Sequence, residues 1–291
     1  MRRILSLLVA ATLLTTSLSA QIFYKIEGNG IEKPSYLFGT HHMAPISIVD
    51  MYNLNDYLNE AEQVVGELDL TQDQMALALA MQSHMMAPLD STLSKVISPE
   101  DYEVVNEEFK KWSPVPGMDL SMFEPLKPMV VATTVTMGIM QKEMPDFDPQ
   151  NQLDSYFLTK GKEAGKKITP LETPEFQASI LYDTTPIAVQ AEDLVEMLKN
   201  PLRTMEMAQK LNEAYMKGDL AEMLHLSEQE ESNSEFMTAI LDRRNADWLT
   251  KLPIILSEGP TFIAVGALHL AGDKGIVEGL RNAGYKVTSL R

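Results

Sequence analysis

Cysteine is absent from all 291 residues. No disulfide can staple the fold, no thiol can act as a nucleophile, and zinc sites built from thiolates are excluded. A chain of this length can bury a large core without disulfides. Positive charge is also scarce: 24 lysines and arginines face 41 aspartates and glutamates, a formal net charge of -17. That balance speaks against nucleic acid as a partner, because phosphate binding needs a basic face, and it disfavours anionic lipid. Beyond the N-terminal stretch no apolar run is long enough to cross a bilayer. The segment "MVVATTVTMGIM" at 129–140 is too short and is interrupted by threonines. Two hydrolase signatures are missing as well, the G-x-S-x-G nucleophile elbow and the H-E-x-x-H of zincins. There is no tandem repeat and no low-complexity tract.

What remains is ordinary globular composition, 45 % apolar and 22 % charged, behind a distinctive start. Met1, Arg2 and Arg3 precede "ILSLLVAATLL" and then "TTSLSAQ", the basic, apolar and small-residue regions of a secretory signal peptide. Cleavage is expected near Ser19 or Ala20. Residues 1–20 are then the signal peptide and 21–291 a single domain, exported to the periplasm or secreted. With no cysteine after the apolar stretch, lipid attachment of the bacterial type has no acceptor.

Strand patterns occur in "FYKIEG" and "SYLFGT", separated by "NGIEKP", where Asn29-Gly30 favours a hairpin. A helix is expected over Ile48 to Glu62, then a buried strand in "QVVGELDL" that ends in acids. Helical patterns follow from Thr71 to about Ala87 and after Ser98, an N-cap with Pro99 in the first turn. A further helix is expected from Leu120 to Lys142, with Pro125 and Pro128 in its first turn or kinking it. "NQLDSYFLTKGKEAGKKITPLET" reads as helix, Gly165 stop and strand. Residues 174–257 read as helical, broken at Thr185-Pro186, Asn200-Pro201 and Gly218-Asp219. The chain closes with strand "TFIAVGALHL", helix "KGIVEGLRNAG" and strand "YKVTSL". Strands at both ends and helices between them predict an α/β fold. Its core comes from the N- and C-terminal parts, with a helical insertion at about 71–257.

The chain has only five histidines, yet two strand ends share one pattern. Gly39-Thr40-His41-His42 follows "YLF", and Gly266-Ala267-Leu268-His269 follows "FIAV". Glycine at a strand end permits a sharp turn or a close approach. A histidine three residues on then lies just past the strand, where open α/β sheets bind ligands. Glu67 ends a third strand. Two imidazoles and a carboxylate are a common shell for zinc, manganese, cobalt or non-haem iron, leaving positions open for water that the metal acidifies. Taken alone, Glu67 reads first as a helix-capping or salt-bridging acid. Arg243 and Arg244 in "LDRRNADW" read either as a solvated basic patch or as a clamp for a carboxylate or oxyanion. His84 lies among Met75, Met81, Met85 and Met86, which serve either as packing or as soft metal or haem contacts. His225 has no ligand spacing.

These residues resemble the TraB/PrgY/GumN family, which includes the Tiki proteins. "YLFGTHHMAP" is similar to its N-terminal motif and "FIAVGALHLAGDKGIVEGLRNAGYKV" to its C-terminal one, while "LETPEFQ" and "AYMKGDL" resemble intervening blocks. The likeness runs over about residues 22–291. It implies a fold shared with erythromycin esterases and ChaN-type haem-binding proteins, with two related α/β halves. It also implies metal-dependent protease activity with manganese or cobalt, as in Tiki-type members. Carried over by position, the family histidines fall on His42 and His269, the acid on Glu67 and the arginine on Arg244. His41 occupies a variable position.

The expected function is therefore a metal-dependent hydrolase, a Tiki-like peptidase acting on a peptide, with esterase action on a small molecule as a weaker reading. Its divalent cation would be manganese, cobalt or zinc. His42, Glu67 and His269 would be three ligands, or two ligands and a general base. Arg244 would steady an oxyanion or a substrate carboxylate, and the methionine-rich helices would line the groove. The alternative is an exported binding protein that holds a peptide, haem or metal without turnover.

Overall fold

The computed structural model describes residues 22–145, 147–230 and 234–290; the expected signal peptide lies outside them. Strand β1 (Phe23–Gly28) pairs antiparallel with β2 (Ser35–Thr40). Asn29 and Gly30 both have positive φ in the turn after β1, which Asn and Gly tolerate best. Strands β3 (Gln63–Gly66), β4 (Lys167–Pro170), β5 (Thr261–Gly266) and β6 (Tyr285–Ser289) complete a mixed sheet in the order β4-β3-β5-β2-β1-β6. Strands β4, β3, β5 and β2 run parallel, and β1 is antiparallel to both its neighbours. Every residue of β2 is buried, as expected of an inner strand covered on both faces. β4 is only partly covered and ends in Pro170, which an edge strand tolerates.

Helices α1 (Ile48–Met51), α2 (Leu54–Glu60), α3 (Gln74–Met85), α4 (Leu93–Val96) and α5 (Pro99–Trp112) precede a 3₁₀ turn, Leu120–Phe123. Then come α6 (Pro128–Glu143), α7 (Leu153–Glu163), α8 (Pro174–Asp183), α9 (Ile187–Lys199), α10 (Pro201–Met216) and α11 (Leu220–Glu230). The chain continues through α12 (Ser234–Met237), α13 (Arg244–Glu258) and α14 (Ile276–Asn282). The single helix expected over Ile48 to Glu62 is two helices. Asn53 between them takes a left-handed backbone (φ 52), which ends the first and starts the second. The helix expected from Leu120 begins only at Pro128, because a proline has no N–H to give and belongs in a first turn. The breaks expected at Pro186, Pro201 and Gly218 are all present.

Among the described residues two large apolar cores form, beside a small third cluster around Val130, Ala178 and Tyr182. One lies on the sheet, where Phe38 and Phe262 both meet Phe157 of α7 with ring centroids 5.5 and 4.9 Å apart. The other is purely helical, with Phe109 of α5, Val131 and Val135 of α6, and Leu194 and Leu198 of α9. Among the described residues no helix is long and apolar enough to cross a membrane. The sheet sets the position of the site. Thr40 pairs with Gly266 and Gly66 with Pro170, so all four parallel strands finish along one edge. Beyond that edge lie His41 and His42, Glu67, Glu172, and His269.

Candidate active site

Glu67 follows β3 directly. Its Oε1 accepts the backbone N–H of Gly266 at 2.8 Å, and its Oε2 accepts Arg244 Nη2 at 2.6 Å and Gln177 Nε2 at 3.3 Å. Burial pushes the carboxyl up, but the charge and hydrogen bond of Arg244, together with His269 and the Gly266 N–H, outweigh it and hold Glu67 at about 2. It is therefore a carboxylate at neutral pH.

His269 is buried in a 3₁₀ turn, Ala267–Leu270, that follows β5. Asn245 spends its amide N–H groups on the carbonyls of His269 and Lys274, at 3.2 and 3.0 Å. Its Oδ1 must then accept the Nδ1–H of His269, 2.7 Å away. This assigns the tautomer and leaves the Nε2 lone pair facing Arg244 Nη1 at 2.9 Å, with Glu67 Oε1 3.8 Å off. Burial lowers His269 to about 4, so the ring is neutral.

Arg244 begins α13 just after a π-helical stretch, Thr238–Arg243, an irregularity frequent at functional sites. A guanidinium has five N–H donors. Here Nε and Nη2 bind Glu172 at 3.0 and 2.6 Å, Nη2 also binds Glu67, and Nη1 binds the Ile240 carbonyl at 3.2 Å and His269. All five donors are engaged, so Arg244 in this arrangement has none left for an oxyanion or a substrate carboxylate. Arg243, its neighbour, is exposed and pairs with Glu235.

Glu172 was not among the residues that the sequence singled out. It is buried, and besides Arg244 it accepts Trp248 Nε1 at 3.2 Å and Gln177 Nε2 at 2.9 Å. A weak signal for it exists: it is an acid two residues past the end of β4, as Glu67 is an acid at the end of β3.

The two adjacent histidines differ. Burial and the charge of His42 lower His41 to about 4; its ring lies against Tyr215, centroids 5.0 Å apart, and its buried Nε2 has no hydrogen-bond partner. His42 stands largely exposed in the cavity, its Nδ1 3.3 Å from Asp154 Oδ2. That contact raises its pKa to about 9. Asp154, from α7, is steadied by Thr40, whose hydroxyl donates to Oδ1 at 2.5 Å.

His42, Glu67, Arg244 and His269 thus line one cavity of about 620 Å³. The methionine-rich helix α3 does not line it. The cavity's methionines are Met223 and Met237, from α11 and α12. α3 instead packs on α8, with Met81 and Met85 against the cluster of Val130, Ala178 and Tyr182 and with His84 Nδ1 2.6 Å from Asp183. The hydrophobic periodicity that marks a helix cannot say which neighbour covers it. His225 is exposed and bonds Gln229.

Among the described residues no three histidine or acidic side chains are gathered closely enough to form a metal shell. The donors nonetheless fit a divalent cation in kind. His269 is held by Asn245 in the tautomer a ligand needs and Glu67 is ionised, while His42, open to the cavity, would have to give up the proton that Asp154 favours before it could bind. A cation there would share Glu67 and His269 with the guanidinium that already binds both.

No curated protein and no solved structure matches the chain. The model of the TraB/PrgY/gumN family matches residues 22–289, nearly its whole length. This match, together with two glycine–histidine strand ends on adjacent strands, an acid at the end of the next strand and a buried arginine, means that the chain belongs to the TraB/PrgY/gumN family.

Proposed function

We propose that this protein is a metal-dependent hydrolase, a peptidase of the Tiki-like kind, with its active site in the cavity at the strand ends. The observation that carries this reading is the convergence of Glu67, His269 and His42 on one cavity, from the ends of three neighbouring parallel strands. A divalent cation, manganese, cobalt or zinc, held by Glu67, His269 and His42 would supply an activated water for attack on a carbonyl. The rest of the work falls to the chain. Asn245 fixes the His269 tautomer, and Arg244 balances the charge of Glu67 without touching substrate. His42 either completes the ligand set or, backed by Asp154, carries a proton to the leaving amine.

Two further expectations go with this reading. Residues 1–20 direct export and are removed, and the paired glycine–histidine ends of β2 and β5 reflect two related halves of the core. One observation favours a second function, that of a binding protein for a peptide, haem or metal: the guanidinium already occupies both Glu67 and His269. The deciding experiment uses the purified chain, stripped with chelator and incubated with a peptide library. New peptide termini that appear only after adding Mn²⁺, Co²⁺ or Zn²⁺, and not with Glu67→Gln, support the hydrolase. A tight 1:1 complex without product excludes it.

A further inference from the structure

Much of the cavity wall is apolar, formed by Leu70 after β3, Leu211 of α10, Met223 of α11, Phe236 and Met237 of α12, and Ile240 of the π-helical stretch, with Ser227 of α11 and Gln152 as neutral polar neighbours. Besides the histidines, three charged side chains line the cavity, Glu67, Asp154 and Arg244, and each is already paired within the site. Among the described residues no lysine and no further acid reaches the wall.

The energetic consequence is directional. A substrate ammonium or carboxylate entering the apolar arm would lose its water and find no counter-charge. Methylene and aromatic groups would gain from leaving water. The volume, about 620 Å³, sits within the range of small-ligand sites, roughly 300–1,000 Å³, and has room for a bulky group beside the reacting bond.

We infer that the cavity selects substrates carrying a bulky, uncharged apolar group next to the scissile carbonyl. That group lies along Leu211, Met223 and Met237, and the carbonyl faces Glu67 and His269. The inference rests on the cavity being the hydrolase site, and it names the substrate class of that site. The apolar group has two possible sources, a hydrophobic peptide side chain or an acyl chain.

Calorimetric titration of the full chain, chelator-stripped and Mn²⁺-loaded, tests it with four probes. These are N-acetyl-leucyl-leucinamide, its glutamyl-glutamamide and lysyl-lysinamide counterparts, and octanamide. At least one of the leucyl probe and octanamide is expected to bind tenfold or more tighter than either charged peptide. Tighter binding of the leucyl probe assigns the group to peptides, and tighter binding of octanamide assigns it to acyl compounds. Leu211→Asp, which puts an unpaired charge in the wall, and Met237→Trp, which fills the arm while staying apolar, should each weaken the preferred probe tenfold or more. If Leu211→Asp fails to fold, Met237→Trp decides. Equal binding of all four probes, binding of none, or an unaffected Met237→Trp would overturn the inference. Apolar preference without cleavage under any metal would keep it and overturn the hydrolase. Metal-dependent cleavage that favours charged peptides would do the reverse.

Discussion

Glu67 and Glu172 close on the same nitrogen, Arg244 Nη2, each at 2.6 Å. They leave adjacent parallel strands, and the backbone N–H of Glu172 donates to the Glu67 carbonyl at 3.0 Å. Two acids held this closely repel each other unless a cation lies between them. A guanidinium, planar and permanently charged, can bind one acid with a two-pronged grip and still reach the other. Arg244 thereby ties the ends of β3 and β4 to α13 and, through His269, to β5. The sheet edge is held together by charge at the place where the cavity opens.

Removing the arginine should therefore be costly. Arg244→Met leaves two acids without their cation and is expected to destabilise the fold by about 3–5 kcal/mol. Arg244→Lys restores the charge but not the fork, and should recover only part of the loss. Urea denaturation followed by circular dichroism measures both; a midpoint for Arg244→Met equal to that of the wild type would contradict the account.

Gly39 and Gly266 matter for closeness rather than for unusual dihedrals. A Cβ on Gly39 would stand 2.9 Å from Ala267 Cα and 3.1 Å from its Cβ, so the turn carrying His269 would have to move. Gly39→Ala should cost roughly 1–3 kcal/mol, as overpacking does. At Gly266 the added Cβ would meet Glu67 Oε1 at 3.2 Å and His269 Cδ2 at 3.5 Å, side-chain atoms that can yield. Gly266→Ala should lose less stability and more activity. Thermal melts and turnover of the two variants check this ordering.

In the metal-free chain the cavity histidines should titrate far apart. Burial lowers His269 and His41 from 6.5 to about 4, whereas the Asp154 contact raises His42 to about 9. The first two favour the fold while neutral, so their contribution is present above pH 6.5 and lost as pH falls towards 4. His42 has the opposite sign: its contribution is present below pH 6.5 and lost as pH rises towards 9. Glu67, lowered from 4.5 to about 2, adds a further loss between those values. Of the three cavity histidines, imidazole resonances assigned by NMR should show His42 titrating above 6.5 and His41 and His269 well below it. A His269 that titrates at 6.5 or higher would contradict the buried, Asn245-anchored tautomer.

Much of this was legible in the sequence because it depended on local chemistry. The Asn29-Gly30 hairpin, the Ser98 cap, the proline breaks and the two glycine–histidine strand ends are short-range signals, and each matches the structure. The convergence of His42, Glu67 and His269 on one cavity is expected from strand ends that the sheet then aligns, whereas Arg244, on a helix, joins them only through the family resemblance. What was not legible depended on packing between distant segments. Glu172 shows its importance only once β4 lies beside β3. The saturation of Arg244 requires five hydrogen bonds to four residues from distant parts of the chain. The choice of Met223 and Met237 for the cavity, over the richer cluster on α3, is set by which helices cover the strand ends.

In the three-ligand form of the proposed site, Glu67, His269 and His42 together hold one catalytic cation. The most direct test of this claim is calorimetric titration of the chelator-stripped chain with Mn²⁺, comparing wild type with His42→Ala and His269→Ala. The account predicts one equivalent bound by the wild type and abolished by both substitutions, with circular dichroism unchanged. Equal binding by all three proteins, or none by any, would contradict it.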